Sequence, residues 1–320
     1  MSRKSFYFLC LAAICAYLIY RALDWRQFWA SLRNIQPWWL GASIIATLLT
    51  YVTRAFRWQV LLNPVKSVAM GALISINVLG FAAIYLIGRA GELVRPLWLT
   101  RQERVPWTAS LATIIVERFL DILMLLILFA LALIVVQLPV TSEHTITFMK
   151  ARAWMLLVAC AAAMVFLFFF RSNVDRIVPY VPFAKIVSLM KNFAEGLSFL
   201  DRPSSFGLAI MHSIFVWIVI VLQFWFMLLG MNIHFSISAA TLVMVGAAIG
   251  SILQLPGIGG GFQGGYFFFM TVFFAIPKEQ ALATALIAWV SQLVPTVLLG
   301  AVYMVSHHLS LKDLRTATAE

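Results

Sequence analysis

The sequence alternates long apolar stretches with polar segments. The long stretches cover residues 6–20, 37–53, 68–87, 122–138, 153–170, 207–230, 237–255 and 281–305, and a shorter one at 266–276 follows a cluster of glycines. Several of them reach the roughly 17–25 apolar residues that a membrane-crossing helix needs. They lack the regular polar–apolar alternation of a lipid-facing barrel strand. The pattern therefore predicts an all-α polytopic membrane protein, with residues 1–320 forming one integral membrane domain.

Composition supports this class. Hydrophobic residues make up 63% of the chain and charged residues 11%, with a mean hydropathy of +0.96. A soluble domain carries about 25% charged residues. The net charge of +11 would suggest nucleic acid on a soluble protein, but in a membrane protein it is better explained by basic cytoplasmic loops. We expect no nucleic-acid partner.

The distribution of Lys and Arg predicts a topology. If 68–87 enters and returns on the same side, and the pair 237–255 and 266–276 does likewise, sixteen of the 23 basic residues lie inside and six outside. This arrangement has about six full crossings, both termini in the cytoplasm and two re-entrant elements. The two elements enter from opposite faces in a pseudo-symmetric inverted arrangement. Simple crossings with the N-terminus outside also satisfy the positive-inside rule, so that alternative stays open.

Two segments complete this outline. Residues 6–20 resemble a signal peptide, but no small-residue cleavage site follows them, so we expect an uncleaved first membrane helix. Segment 171–206 mixes basic and apolar residues, which predicts a cytoplasmic amphipathic helix at the interface, with an ordinary loop as the alternative. The broken elements are expected at about 68–116 and 237–276.

The second broken element contains the least helical residues of the chain. Its sequence from 255 to 269 is LPGIGGGFQGGYFFF, with glycines at 257, 259, 260, 261, 264 and 265. Broken backbone at membrane depth is tolerated only where it is buried in protein or lines a wet cavity, and paired breaks mark the substrate site in transporters. The pattern therefore favours a functional lining. The alternative is a tight interhelical loop, or a helix crossing through small residues.

Charged residues follow the first broken helix. Arg89, Glu92 and Arg95 come directly after the apolar stretch 68–87. A guanidinium fork suits phosphate oxygens, so the two arginines are candidates for holding a phosphate, with Glu92 orienting one of them or exchanging a proton. A solvated loop that obeys the positive-inside rule is the alternative.

A second charged group interrupts an apolar region. Glu117 and Asp121 are four residues apart and share a helix face, and Arg118 is placed to pair with Asp121. Ionisable residues in a bilayer are costly and mark functional paths, although a position at the interface stays open. Arg54 and Arg57 are interpreted as a cytoplasmic anchor beside an interfacial tryptophan.

These motifs resemble a known family. The stretch GRAGELVRP at 88–96, then Ser110, then ERFLD at 117–121 is similar to the pattern R-x-G-E-x-x-R … S … E-R-x-x-D. That pattern is typical of the flippase-like transmembrane family, also called the lysylphosphatidylglycerol synthase transmembrane region family. PGIGGG at 256–261 resembles its later Pro-Gly-Gly break. The resemblance covers essentially the whole chain.

The resemblance implies movement of a lipid with a polar or charged headgroup between leaflets. It also implies a substrate-binding site whose polar cavity is formed by Arg89, Glu92, Arg95, Glu117, Arg118 and Asp121. The second break faces this cavity and adds the site residues Gly257, Gly259, Gly260, Gly261 and Gln263. The family often has a glutamate where this chain has Gln263, which argues against proton coupling there. We expect no soluble aminoacyltransferase domain, and therefore no synthesis of an aminoacyl lipid.

We therefore expect a lipid flippase or transporter of the bacterial inner membrane. Its partners are membrane lipids, anionic or of the isoprenoid or glycolipid class. No catalytic residue, metal or cofactor is expected. One alternative is an accessory subunit that docks a lipid-modifying or glycosyl-transferring enzyme. A further alternative is a membrane-embedded transferase with Glu117 or Asp121 as its base.

Overall fold

The structure is a computed structural model and describes residues 23–136, 143–255 and 259–306. These residues are almost entirely helical. The α-helices are α1 Trp25–Arg33, α2 Pro37–Leu62, α3 Met70–Ile87, α4 Val94–Glu103, α5 Trp107–Val135, α6 Glu143–Ile177, α7 Ala184–Gly196, α8 Pro203–Gly230, α9 Ile237–Gly250, α10 Gly261–Phe268 and α11 Lys278–Ser306. Shorter helical turns cover Gly88–Leu93, Val178–Tyr180, Ser198–Asp201, Ser251–Leu253 and Phe269–Phe273.

Local sequence determines where several helices begin and end. The Asp24 side chain accepts hydrogen bonds from the first backbone N–H groups of α1, and Ser236 does the same for α9. Pro37 occupies the first position of α2, where its missing N–H costs nothing. Gly88 ends α3 with a φ of 74°, a value that glycine adopts readily.

Among the described residues, five segments are long and apolar enough to cross a membrane, namely Pro37–Leu62, Met70–Glu103, Trp107–Val135, Pro203–Gly230 and Lys278–Ser306. The predicted all-α polytopic class is therefore confirmed. The predicted crossing at 153–170 lies within α6, which is not among these five. The predicted first helix at 6–20 and both chain termini lie outside the described residues. The total number of crossings and the inverted pseudo-symmetry stay predictions.

Helices α2 and α8 form a long antiparallel pair. Gln36 N donates to Gly230 O at 2.8 Å at one end of the pair, and Ser43 Oγ donates to the Gln223 carbonyl at 2.9 Å further along. The two ends of this helix pair serve as reference points for the rest of the fold. We call the end formed by residues 34–36, 231–236 and 275–279 the Asp24 end, because Asp24 N also bonds Glu279 Oε1 there at 3.2 Å.

The opposite end, which we call the Lys66 end, is formed by residues 63–69 and 104–106, and from it α3 and α4 form a hairpin. Lys66 Nζ lies 3.6 Å from Glu103 Oε2, so the start and the finish of the hairpin are neighbours. At the tip, Gly91 packs so tightly on α3 that an added Cβ would lie 2.4 Å from the Ala83 carbonyl carbon. The apolar segment Met70–Glu103 is therefore two helices that fold back on each other.

Helices α9 and α10 form a second hairpin whose backbones touch. A Cβ added to Gly265 would lie 2.0 Å from Gly246 O, and one added to Gly261 would lie 2.1 Å from Gly250 O. Small residues four apart on each helix permit this close crossing. A two-residue antiparallel strand pair, Gln254–Leu255 with Gly259–Gly260, closes the tip and pairs backbone groups that a bilayer could not satisfy.

The two hairpins start from opposite ends and meet at their tips. The Phe235 and Phe274 rings, which flank the second hairpin, are 4.6 Å apart at the Asp24 end. At the tips, Arg89 Nη2 donates to the Ser251 carbonyl oxygen at 2.8 Å. The two hairpins therefore approach each other from opposite ends, while their re-entry into a membrane and their inverted pseudo-symmetry stay predictions.

The tight crossing of the second hairpin makes a testable prediction. Gly265→Ala should lower the free energy of unfolding by about 1–3 kcal/mol, because the new methyl group meets backbone that cannot move aside. Gly264→Ala is the matched control, since nothing lies within 4 Å of its added Cβ. Thermal unfolding in one detergent should show a lower midpoint for Gly265→Ala alone. Equal midpoints for the two variants would contradict the crossing.

Candidate functional site

Two buried carboxylates lie near the middle of α5. Asp121 has fourteen residues of this 29-residue helix on each side, about 21 Å of helix in both directions. Glu117 precedes it by one turn and is fully buried, and Asp121 is only 8% exposed. Burying a charge is expensive unless it is paired and hydrogen-bonded. The surroundings of these two groups therefore decide what the site can do.

Four arginines surround the two carboxylates. Arg95 Nη1 lies 2.7 Å from Glu117 Oε2, and Arg57 Nη1 lies 2.7 Å from Asp121 Oδ1. Arg118 Nη2 and Arg54 Nη1 lie 3.2 and 3.4 Å from Asp121 Oδ2. We call this set the arginine–carboxylate cluster, with the members Arg54, Arg57, Arg95, Arg118, Glu117 and Asp121. Its six side chains have a formal net charge of +2.

Other helices and aromatic rings hold the arginines in place. The Arg95 guanidinium lies 4.4 Å from the centre of the Trp58 ring, and Trp58 Nε1 donates to Thr113 Oγ1 at 3.0 Å. Arg57 Nη1 also reaches Ser213 Oγ of α8 at 3.4 Å. The site is therefore assembled from α2, α4, α5 and α8, with its guanidinium groups oriented in advance.

The carboxylates do not use all the donors that the arginines offer. Within the described residues, Arg57 Nε and both Nε and Nη2 of Arg95 are buried without a hydrogen-bond partner. A guanidinium carries five N–H donors in a fixed fork. The excess of positive charge and of buried donors makes the cluster chemically suited to an anion.

Exposure indicates how a ligand would approach. The Arg57 side chain is completely buried, whereas those of Arg54 and Arg118 are 13% and 35% exposed. Arg118 and Arg54 therefore form the accessible edge of the cluster, and Arg57 and Arg95 form its interior.

The structure separates two of the sequence-predicted residues from the others. Arg95, Glu117, Arg118 and Asp121 come together in the cluster, but Arg89 and Glu92 form their own ion pair, with Nη1 and Oε1 2.5 Å apart. This pair lies at the tip of the first hairpin, where Arg89 bonds Ser251 of the second. It therefore connects the two hairpins, and its side chains are more exposed than the cluster interior.

The glycines of the second break have individual roles. Gly259 and Gly260 have positive φ values of 83° and 67°, and a Cβ on Gly259 would lie 2.6 Å from both Gln263 Oε1 and Trp289 Nε1. Gly261 provides the contact between α9 and α10, as the small-residue alternative predicted. Gln263 is buried beside Gly259. Gly257 lies outside the described residues.

Comparison with known proteins identifies the family. The model of the lysylphosphatidylglycerol synthase TM region family matches residues 6–300. The chain belongs to this family. No curated protein and no solved structure matches the chain.

The lysylphosphatidylglycerol synthase TM region is a membrane domain associated with lipid-related functions. Membership of this family agrees with the resemblance noted in the sequence. Together with the five apolar segments, it indicates a multi-pass membrane protein.

Sequence reasoning about this family member did not place Arg54 and Arg57 in the site. The apolar stretch 37–53 suggested a helix that ends at the first arginine, but α2 continues to Leu62. The signal was present in residues 58–62, Trp-Gln-Val-Leu-Leu, which add more than a turn of mostly apolar helix after Arg57. Helical continuation through these residues moves both arginines away from the helix end.

The buried pairs make a second testable prediction. Glu117→Gln should lower the free energy of unfolding by about 3–5 kcal/mol, because it leaves Arg95 without its carboxylate in a buried site. The matched control is Glu92→Gln, whose partly exposed pair with Arg89 should contribute about 1 kcal/mol or less. Unfolding midpoints in one detergent compare the two variants. An equal or larger loss for Glu92→Gln would show that the buried pair of Arg95 and Glu117 does not stabilise the fold more than the exposed pair does.

Proposed function

We propose that the protein is a lipid flippase, a transporter that moves a lipid with a phosphate-bearing headgroup between the leaflets of the bacterial cytoplasmic membrane. One observation carries the proposal: four arginines converge on two carboxylates near the middle of a membrane-length helix, leaving a net positive charge and unused buried donors.

The free-energy cost of burying these charged side chains supports a binding role for the cluster in addition to a structural one. Replacing a buried ion pair by apolar residues is often neutral or stabilising, so such a pair is weak evidence for a structural role alone. Ionisable residues inside a membrane segment are by default candidates for a substrate path. Guanidinium forks match phosphate oxygens in a bidentate way. A phosphate-bearing headgroup is therefore the ligand class that suits the cluster best.

The arrangement of the hairpins also supports transport. Discontinuous helices that meet near mid-membrane are the usual setting of substrate sites in transporters. Here Arg95 follows the tip of the first hairpin, and the tip of the second hairpin contacts that tip through Arg89 and Ser251. A movement of either hairpin would therefore change access to the cluster. Only the headgroup needs this polar path, because the lipid chains can remain in the bilayer.

Transport in proteoliposomes tests the proposal. The substrates would be fluorescently labelled lipids of three classes, an anionic phospholipid, a zwitterionic phospholipid and an isoprenyl phosphate. The wild-type protein should move at least one of them faster than protein-free liposomes do. Arg118→Gln should reduce that rate about tenfold or more, since a hydrogen bond to a charged group contributes about 1.5–3 kcal/mol. Asp121 keeps Arg57 and Arg54 in this variant, so the fold should be retained.

Arg176→Gln is the matched control, because it removes one positive charge from an exposed position outside the cluster. Its transport rate should equal that of the wild type. If no lipid moves faster than in protein-free liposomes, the flippase proposal is wrong. Co-purification of a lipid-modifying enzyme with such an inactive protein would support the accessory role instead.

A further inference from the structure

An apolar cavity of about 250 Å³ lies near the Lys66 end, between α5, α6 and α7. No residue of the arginine–carboxylate cluster lines it. Its main lining residues are Leu111, Ala112, Ile115, Phe170, Leu189 and Phe193. The α5 residues of the cavity belong to the first turns of that helix, whereas Glu117 and Asp121 lie deeper.

The lining restricts the chemistry of an occupant. Thr108 and the backbone are the only polar groups that the lining residues bring to the cavity, so a headgroup placed there would lose hydrogen bonds to water without replacing them. Water is held poorly for the same reason, since a buried water needs two to four polar partners. A hydrocarbon is the chemical class that fits.

The volume suits part of a lipid chain. Pockets for whole small molecules are usually about 300–1,000 Å³, which is larger than this cavity. An apolar cavity of roughly 150 Å³ accepts benzene, with its six carbons. By proportion, this one accepts a segment of about ten carbons.

The cavity is continuous with the apolar outer surface of the molecule. Leu189 both lines the cavity and is 56% exposed. Ile186 of α7 is 46% exposed, and Phe183, which directly precedes α7, is 63% exposed. On α6, Phe166 and Phe169 are 63% and 59% exposed next to the lining residue Phe170. In a membrane protein, lipid chains cover such a surface, so a chain can pass from it into the cavity.

We propose that this cavity binds one hydrocarbon chain of a membrane lipid from the leaflet at the Lys66 end. The chain enters beside α7 and packs against Leu111, Ala112 and Ile115 of α5. The headgroup stays at the membrane surface, near the polar face of α7 that exposes Ser188, Lys191 and Glu195. The site requires only that the protein lies in a lipid bilayer, and it does not depend on transport.

Photocrosslinking tests the site. Wild-type protein in liposomes would be irradiated with a phospholipid that carries a diazirine in its acyl chain, and adducts would be mapped by mass spectrometry. Segments 108–115 and 189–193 should carry several-fold more adducts than residues 131–135, which lie on the same helix α5 and include exposed apolar side chains. Equal labelling of the cavity and of residues 131–135 would overturn the proposal.

A cavity-filling variant provides a second measurement. Ala112→Phe places a ring in the cavity and should reduce the adducts on both cavity segments several-fold. Leu131→Phe is the control, because Leu131 is 54% exposed and lies outside the cavity, and it should leave those adducts unchanged. Undiminished labelling in Ala112→Phe would also overturn the proposal. If that variant does not fold, the wild-type labelling ratio decides.

Neither outcome depends on lipid movement. Failure of the labelling leaves the flippase proposal standing, and failure of transport leaves the chain-binding site standing.

Discussion

The guanidinium of Arg57 is the contact on which the centre of the molecule depends. Its Nη1 bonds Asp121 and reaches Ser213, and its Nη2 lies 3.7 Å from Glu117. It therefore links α2 to α5 and α8 through one completely buried side chain. Removing one partner of such a pair typically costs about 3–5 kcal/mol, because the other charge stays buried and uncompensated. The charged side chains that hold these three helices together are therefore also the side chains of the candidate binding site.

The two hairpins bring the broken backbone at their tips close to this centre. Backbone N–H and C=O groups at membrane depth must be satisfied within the protein. In the second hairpin, the strand pair at the tip helps to meet that requirement, and Gly265 lets α10 pack closely against α9. In the first, Gly91 permits the return of the chain against α3, which brings Arg95 back to Glu117. Glycine thus allows a charged side chain to reach the interior on a short return helix.

Part of this arrangement could be predicted from the sequence. Apolar stretches near membrane length indicated the helical class, and helix periodicity placed Glu117 and Asp121 on one face because residues four apart are neighbours. The distribution of Lys and Arg predicts two re-entrant elements in an inverted arrangement, and their re-entry into a membrane stays a prediction. The helical class and the shared face of Glu117 and Asp121 were predictable because both depend on local composition and spacing.

Other features depend on contacts between distant parts of the chain. Arg57 pairs with residues 64 and 156 positions away, and no local pattern states which side chains it will meet. An arginine after an apolar stretch usually marks a membrane interface, so its burial followed only from the packing of α2 on α5 and α8. Similarly, the spacing of Gly261 and Gly265 allowed both a lining and a crossing role. Gly250 and Gly246 of α9 lie directly against Gly261 and Gly265, so these glycines form the helix crossing.

Retention of a lipid by the arginine–carboxylate cluster is the central claim. Native mass spectrometry would compare the wild type with the double variant Arg54→Gln/Arg118→Gln, each incubated with an anionic phospholipid or with diacylglycerol of the same chains. The double variant should retain the phospholipid at least tenfold less than the wild type, and the two proteins should retain diacylglycerol equally. Equal retention of the phospholipid by the two proteins would contradict the central claim.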